Sequence, residues 1–369
     1  MKPVMKISGN QILWMLATME FGATVLLTFA PTFEHAKQDV WIAALLSGAS
    51  ALFITYLAVK IGSYFPKMTF VEYTQVLFGK WCGRLIVVPY FIMLFSVIPV
   101  IMRQGADFIT ITLLQETPVW AVLVLIGIIT VYVALSGIEG IARSSEFLGP
   151  FIYFLLLVLI VALMKDVNWH YVLPVYVDTG WKEIARGSVY MTGFLGEAVL
   201  LIFLYPFIDS PKGVYRYTLI GVGLAWLFLA MCIVIVLTLF GPDFAEKMWY
   251  PAYGAVRFVS LGGFVERIDP VGILIWLYSY IIKLSMYLFI TAYSFSQWLK
   301  LKKWKRLIWL VVAVGIIGGL LPKNIVSTNM VYAQTVFQMY VLPINMVLIP
   351  LLVWIAAAIR ARKRPKAGR

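Results

Sequence analysis

The chain has 369 residues, of which 62% are hydrophobic and only 13% charged, and its mean hydropathy is +0.91. A soluble domain carries roughly twice that charged fraction; a water-soluble fold of this size cannot hide so much apolar surface, so lipid is the expected solvent for much of it. The net charge of +13 would suggest nucleic acid on a soluble protein. Here the basic residues gather in short loops and at the C-terminal end, which reads as orientation signal and contact with anionic membrane lipid, with no nucleic-acid partner.

A helix needs about 20 apolar residues to cross the hydrocarbon core. On that criterion the sequence predicts an all-α polytopic membrane protein of ten spans, at 10–31, 40–64, 84–113, 118–137, 146–165, 186–208, 216–240, 270–298, 306–322 and 333–359. They form one transmembrane domain over 1–369, with two five-helix halves, 10–165 and 186–359, and a basic tail at 360–369. The first span lacks a small-residue cleavage site and is expected to be retained. The longest connections are 65–83, 166–185 and 241–269; within the last, 251–263 is amphipathic, too short to span, and expected to lie at the outer interface or re-enter it. With ten spans both termini share a side. Twenty Lys and Arg residues fall on that side and eight on the other, which places both termini in the cytoplasm. Trp41, Trp81, Trp120, Trp169, Trp249, Trp298 and Trp304 lie at span ends, as an interfacial aromatic belt requires.

Cys82 and Cys232 are far apart and near or within apolar spans, so neither a disulfide framework nor a thiolate metal site follows. His35 and His170 fall in predicted loops. No metal and no cofactor is expected.

Ionisable groups at bilayer depth cost about 2.5–3.5 kcal/mol each on insertion scales and tend to face protein or a wet cavity. Five occur within spans: Glu20, Arg103, Asp107, Glu197 and Lys283. Glu20 lies in Thr18-Met-Glu-Phe21-Gly22-Ala23-Thr24 of the first span, and Glu197 follows Gly193-Phe194-Leu-Gly196 of the sixth. β-Branched and glycine residues weaken helix at both points. The first and sixth spans open the two halves, and interrupted helices at matching positions are the best sequence pointer to a transporter-type binding site. Gly22, Gly193 and Gly196 therefore read either as a ligand site beside the carboxylates or as close-packing positions. Gly315 and Gly319 of the ninth span read as packing alone. Arg103 and Asp107 are spaced i, i+4 and can pair as a structural bridge or contact ligand. Lys283 needs a counter-charge, which Glu20 or Glu197 can supply; it can equally stand in for a bound sodium ion or carry a proton. Phe21, Phe194, Tyr287, Ile98, Met102 and Gly105 are expected to set the volume left for a ligand. The expected ligand-binding set is thus Glu20, Phe21, Gly22, Ala23, Gly193, Phe194, Gly196, Glu197 and Lys283. No G-x-x-x-x-G-K-[ST], H-E-x-x-H or G-x-S-x-G occurs, so neither ATP-driven transport nor an enzyme is expected.

Several short runs then carry a resemblance: Ile7-Ser8 with Gln11, Asp39-Val40-Trp41-Ile42-Ala43, Phe78-Gly79-Lys80, Thr117-Pro118 and, the most specific, Gly137-Ile138-Glu139-Gly140-Ile141-Ala142-Arg143. In this order the chain resembles the B subunit of bacterial spore germinant receptors, a branch of the amino acid–polyamine–organocation transporter superfamily. The resemblance covers about Ile7 to Ile359. It implies a leucine-transporter-like fold of two inverted five-helix repeats with broken first and sixth spans. It also implies a germinant ligand, usually an amino acid, held at those breaks. The implied partners are an A-type membrane subunit and a C-type lipoprotein subunit, in the spore inner membrane. The superfamily marks its first span with G-x-G, where this chain has the single glycine Gly22. Glu139 and Arg143 fit a structural turn with one ion pair, or else a cytoplasmic gate or docking surface for the A-type subunit. Apart from the germinant sensor, a secondary transporter of amino acid with cation or proton fits the same residues, as does a scaffold or conduit without a ligand site.

Overall fold

The computed structural model describes residues 5–177, 179–210, 213–258 and 269–363. Ser8 starts the first helix, α1 (Gly9–Ala36), through a capping box: its hydroxyl accepts from the Gln11 amide at 3.1 Å, and its own amide donates to Gln11 Oε1 at 2.9 Å. These two bonds satisfy amides that a helix start otherwise leaves orphaned. A short turn at Lys37–Asp39 bends the chain into α2 (Val40–Tyr64). The connection expected at 65–83 contains a helix of its own, α3 (Phe70–Phe78), with a second capping box between Thr69 and Glu72. Then follow α4 (Lys80–Thr112), α5 (Val119–Leu135) and α6 (Gly137–Leu163).

The second half opens with α7 (Gly180–Leu195), which tightens into 3-10 turns at Gly196–Leu200 before α8 (Leu201–Leu204). It continues through α9 (Val214–Phe240), α10 (Pro242–Ala245), α11 (Pro251–Arg257), α12 (Asp269–Trp298) and α13 (Trp304–Leu320). The last span winds with the wider π-helical pitch over Ser327–Val331 and Ala333–Leu348, then returns to α-helix in α14 (Ile349–Lys363). Among the described residues seven helical stretches are long and apolar enough to cross a membrane. The first of them bends at Lys37–Asp39 and holds both α1 and α2; α5, a shorter apolar helix, and α13, each of 17 residues, correspond to the other two of the expected ten. Of the amphipathic stretch at 251–263, α11 is helical and 259–263 lie outside the described residues, as do 364–369 of the basic tail.

The centre of the bundle is α1, packed against α9, α7, α12 and α6. It is buried almost throughout, polar groups included: Thr18, Glu20, Thr24, Thr28 and Thr32 are all at 0% exposure. Its threonines bond back along the helix. Thr24 donates to the Glu20 carbonyl, Thr28 to Thr24 O at 2.7 Å, and Thr32 to Thr28 O at 2.7 Å and across to Gly187 O of α7 at 3.2 Å. Such bonds satisfy hydroxyls that have no water to turn to. One expectation fails here. The first span is not broken at Glu20–Ala23: α1 is continuous helix from Gly9 to Ala36. Gly22 is spent on close approach instead, since a Cβ there would lie 2.4 Å from the Cβ of Ser279 on α12.

Both ends of α1 are tied down. We call the side of its Gly9 end proximal and that of its Ala36 end distal. On the proximal side the Ile7 amide donates to Phe207 O at 2.8 Å and the Asp209 amide to Ile7 O at 3.0 Å. The Lys6 amide donates to Glu139 Oε1 at 2.5 Å, and Lys6 Nζ lies 2.7 Å from Asp209 Oδ1. On the distal side Asp39 accepts from the Tyr176 amide at 3.0 Å and from the Thr179 hydroxyl. His35, expected in a loop, closes the last turn of α1 and bonds Glu183 of α7 at 3.0 Å.

Candidate functional site

The change of helical pitch at Gly196 turns Glu197 into the bundle, where Lys283 of α12 meets it. Lys283 Nζ lies 2.9 Å from Glu197 Oε2, with side chains 0% and 2% exposed. The approach is off the angle of a hydrogen bond, so the contact is an ion pair in the Coulombic sense. The ammonium also lies 4.8 Å from the ring centroid of Phe194, one turn back on α7, an attraction that strengthens where water is excluded. Glu20 of α1 is within electrostatic reach of both charges and is fully buried, yet neither of its carboxylate oxygens has a hydrogen-bond partner. The hydroxyls of Thr18 and Ser279 are buried and unpartnered as well, and that of Tyr287 is buried beside Glu197. Unsatisfied buried polar groups are few in native proteins and each calls for an explanation. Here five residues with such atoms, Thr18, Glu20, Glu197, Ser279 and Lys283, come from α1, the 3-10 turn that follows α7, and α12.

Five of the nine expected ligand-site residues therefore belong to this cluster or touch it: Glu20, Gly22, Phe194, Glu197 and Lys283. Of these, Gly22 packs on Ser279. The other four lie against other neighbours. Phe21 points to α6, with its ring 5.9 Å from that of Tyr153. Gly193 faces the Phe337 ring, and Gly196 faces Met346 and Ile54, so both glycines admit neighbouring side chains. Ala23 lines a narrow cavity of about 20 Å³ with Gln104, Gly105 and Tyr280, between α1, α4 and α12. Ile98 and Met102, expected to bound the ligand, press on Gly315 of α13 instead. Gly319 likewise receives Leu123 and Pro99 in close packing.

The two predicted ion pairs stand apart from the cluster. Arg103 Nε bonds Asp107 Oδ1 at 2.8 Å, while its Nη1 donates to the carbonyls of Gly319 at 3.1 Å and Pro322 at 2.8 Å. That guanidinium ties the distal end of α13 to α4. Arg143 lies 3.8 Å from Glu139 on the proximal surface, where Glu139 also takes the Lys6 amide. On the distal side a vestibule of about 630 Å³ is lined by Lys247, Trp249, Tyr250, Tyr253, Arg257 and Asp269, among others. Its Tyr250 and Tyr253 meet Phe108 edge-to-face at 5.1 and 5.7 Å, and Phe108 and Trp276 wall the small cavity beside Ala23. Sequence reasoning did not find Tyr332, whose hydroxyl meets Ser96 at 2.9 Å and which lies within electrostatic range of Glu197. A tyrosine in an apolar run near a predicted boundary carries no distinguishing signal.

Solved structures with the same arrangement of helices identify the fold as the leucine-transporter type. They include Mhp1, a nucleobase-cation-symport-1 family transporter in a closed conformation with bromovinylhydantoin bound. It has a TM-score of 0.70 and 14% identity, with 98% of this chain and 80% of that one covered. A Na+-coupled sialic acid symporter in its substrate-bound outward-open state has a TM-score of 0.67 and 14% identity, over 97% and 90% of the two chains. MhsT in complex with L-phenylalanine has 0.62 and 16%, over 96% and 89%. In sequence, the chain is 24% identical to spore germination protein KB of Bacillus subtilis (strain 168) over 98% of this chain and 97% of that one. It is 25% identical to spore germination protein YndE of the same organism, over 87% and 89%. The family model described as spore germination protein matches residues 6–327, and the chain belongs to that family.

Proposed function

We propose that this chain is the germinant-sensing membrane subunit of a spore germination receptor, and that it holds a small solute, an amino acid, where α1, α7 and α12 meet near the bilayer midplane. The observation that carries the reading is Glu20, a carboxylate at 0% exposure with neither oxygen partnered, beside the Lys283–Glu197 pair. Such a group calls for a partner from outside the chain, and the depth and tight packing suit a solute more than a macromolecule. Two inverted repeats, 10–165 and 186–359, would bring α1 and α7 together as the first helices of each half. By the resemblance of its sequence, the chain would work with an A-type membrane subunit and a C-type lipoprotein in the spore inner membrane. Its charge bias would put both termini in the cytoplasm.

The test is a thermal-shift screen of the purified full chain in detergent against amino acids, nucleosides and sugars. A ligand at 100 times its Kd stabilises by about 2.7 kcal/mol. We expect a shift from at least one solute and its loss in Glu197→Gln; a shift that survives in Glu197→Gln refutes the site. A second reading, a secondary transporter, is favoured by the fold neighbours, two of them symporters by their own descriptions. Concentrative uptake of the same solute into proteoliposomes would establish it; binding without uptake leaves the sensor.

A further inference from the structure

The chain has two histidines, His35 and His170. His170 lies exposed on the distal turn Trp169–Val172, whereas His35 is built into a contact between three elements. Its Nδ1 lies 3.0 Å from Glu183 Oε2 of α7, and its ring stacks on that of Tyr190, further along α7, with centroids 5.7 Å apart and planes 23° apart. Its Nε2 lies 3.5 Å from the Tyr190 hydroxyl, which accepts from Gln334 Nε2 of the last span at 3.1 Å. One imidazole thus joins the distal ends of α1, α7 and the last span. Imidazole is the side chain whose charge ordinarily changes between about pH 5 and 8.

The surrounding charges leave Glu183 as its counter-ion. Beside it on α1, Glu34 is exposed, and Lys37 is held by Glu246 and Asp243 beyond α9. Asp39 is taken by the Tyr176 amide and the Thr179 hydroxyl. On α7, Lys182 is exposed, and Arg186 Nη1 lies 2.6 Å from Glu183 Oε1, so the other oxygen is left to His35. Lys247, Arg257 and Asp269 line the vestibule, Arg257 over the Tyr253 ring at 5.8 Å. The last span carries no charged residue over 333–348. Glu183 reaches solvent, with its side chain 33% exposed, and a carboxylate so placed beside a guanidinium is ionised throughout the imidazole range. Protonation of His35 therefore adds an ion-pair attraction to the Glu183 contact and turns a second N–H toward the Tyr190 oxygen; the neutral ring keeps one N–H and loses the attraction. We propose that His35 is a proton-operated latch on the distal end of the bundle: charged, it holds α1 to α7 and, through Tyr190, to the last span, and neutral, it lets them part more readily. The added attraction is present while the ring is charged and is lost as pH rises through its titration. The latch uses none of the residues of the buried junction, so it stands independently of the solute reading.

The experiment follows hydrogen exchange of the full chain in lipid nanodiscs from about pH 8 to pH 5, with each rate referred to the intrinsic rate at the same pH to give a protection factor. We expect protection over 33–36, 183–190 and 333–336 to rise about two- to fivefold as pH falls, the scale of one partly exposed ion pair. The step should persist in His170→Gln and disappear in both His35→Gln and Glu183→Gln. Tyr190→Phe, which cuts the connection to Gln334, should confine the step to α1 and α7. A wild-type protein with no step overturns the proposal, as does a step that survives in His35→Gln. A step lost in His35→Gln but kept in Glu183→Gln also overturns it, because Glu183 is then not the counter-ion. A step of equal size at the proximal Ile7 and Asp209 amides overturns it as well, since the whole bundle then responds to pH and the distal end has no latch of its own.

Discussion

Replacing Lys283 by methionine should be the most damaging single change at the junction, and the structure says by how much. The substitution keeps an unbranched side chain and removes the ammonium, so Glu197 and Glu20 are left facing each other at 1% and 0% exposure with no cation. Removing one partner of a buried ion pair costs about 3–5 kcal/mol. The acids are not equivalent to the base. In Glu197→Gln, Lys283 is released next to Glu20 and can pair with it, so the expected cost falls to about 1–2 kcal/mol. Glu20→Gln keeps the shape of a carboxyl group that has no hydrogen-bond partner, and the effect should be near zero or stabilising. The double variant Lys283→Met, Glu197→Gln removes both charges of the pair and should recover part of the loss. Thermal unfolding in detergent, followed by tryptophan fluorescence, reads this order. At about 2–4 °C per kcal/mol, the figure for chains of 150–250 residues, Lys283→Met should lower the midpoint by on the order of 10 °C. The reasoning is refuted if Glu20→Gln costs as much as Lys283→Met, because Glu20 would then carry a structural bond that the geometry does not contain.

Gly22→Ala should destabilise by about 1–3 kcal/mol through overpacking, since its Cβ would meet that of Ser279 at 2.4 Å; adding Ser279→Gly should return part of the loss in the same melting assay. Arg103→Met removes two bonds to carbonyls of the α13 end, so hydrogen exchange should quicken over 319–326, and Arg103→Met with Asp107→Asn should melt higher than Arg103→Met alone. Asp209 holds the Lys6 ammonium above the usual lysine range, first by its hydrogen bond and then by its charge. A group raised on folding contributes fully below its unfolded value and loses that contribution as pH rises through the raised one. The Ile7 and Asp209 amides should therefore lose protection on the alkaline side as Lys6 gives up its proton, less steeply in high salt because the pair is exposed; Asp209→Asn should abolish that step.

The span pattern was legible in the sequence because each crossing needs a run of apolar residues that nothing else produces; all ten runs are helices. Lys283, Glu197 and Glu20 were legible for the same reason inverted, as charges where lipid forbids them. The glycines were half legible: the sixth span does change pitch at Gly196, while the first runs unbroken past Gly22. Gly22, Gly193 and Gly196 were read as weak points of helix, yet each is a gap that one neighbour fills: Ser279, Phe337, Met346. Propensity describes what a residue permits, and only the facing helix decides whether the permission is used for unwinding or for approach. Gly196 shows both outcomes, since the pitch changes there as well. Phe21 and Met102 were misplaced because sequence proximity to a charge says nothing about which side of a helix a residue occupies. On α1, Phe21 lies against Tyr153 of α6.

The unbroken α1 changes what opening this fold requires. In a bundle with a broken first span, one half-helix can swing while the other stays. Here the proximal ties at Lys6, Ile7 and Glu139 and the distal ties at His35 and Asp39 are carried by one continuous element and its flanks. A displacement at one end is passed along α1 to the other, past Glu20 and the Gly22–Ser279 contact at its middle. The helix then works as a lever with the charged junction near its fulcrum. A solute bound there biases the lever only to the extent that it binds one tilt better than the other. Glu20 is the residue through which that difference can arise, because it moves with α1 while Glu197 and Lys283 move with α7 and α12. A tilt that brings Glu20 toward a bound solute is stabilised, and a tilt that withdraws it leaves the carboxyl group unpartnered. Under the proposed site, coupling between a solute and the ends of α1 would need no relay of intermediate residues, because Glu20 is carried by α1 itself.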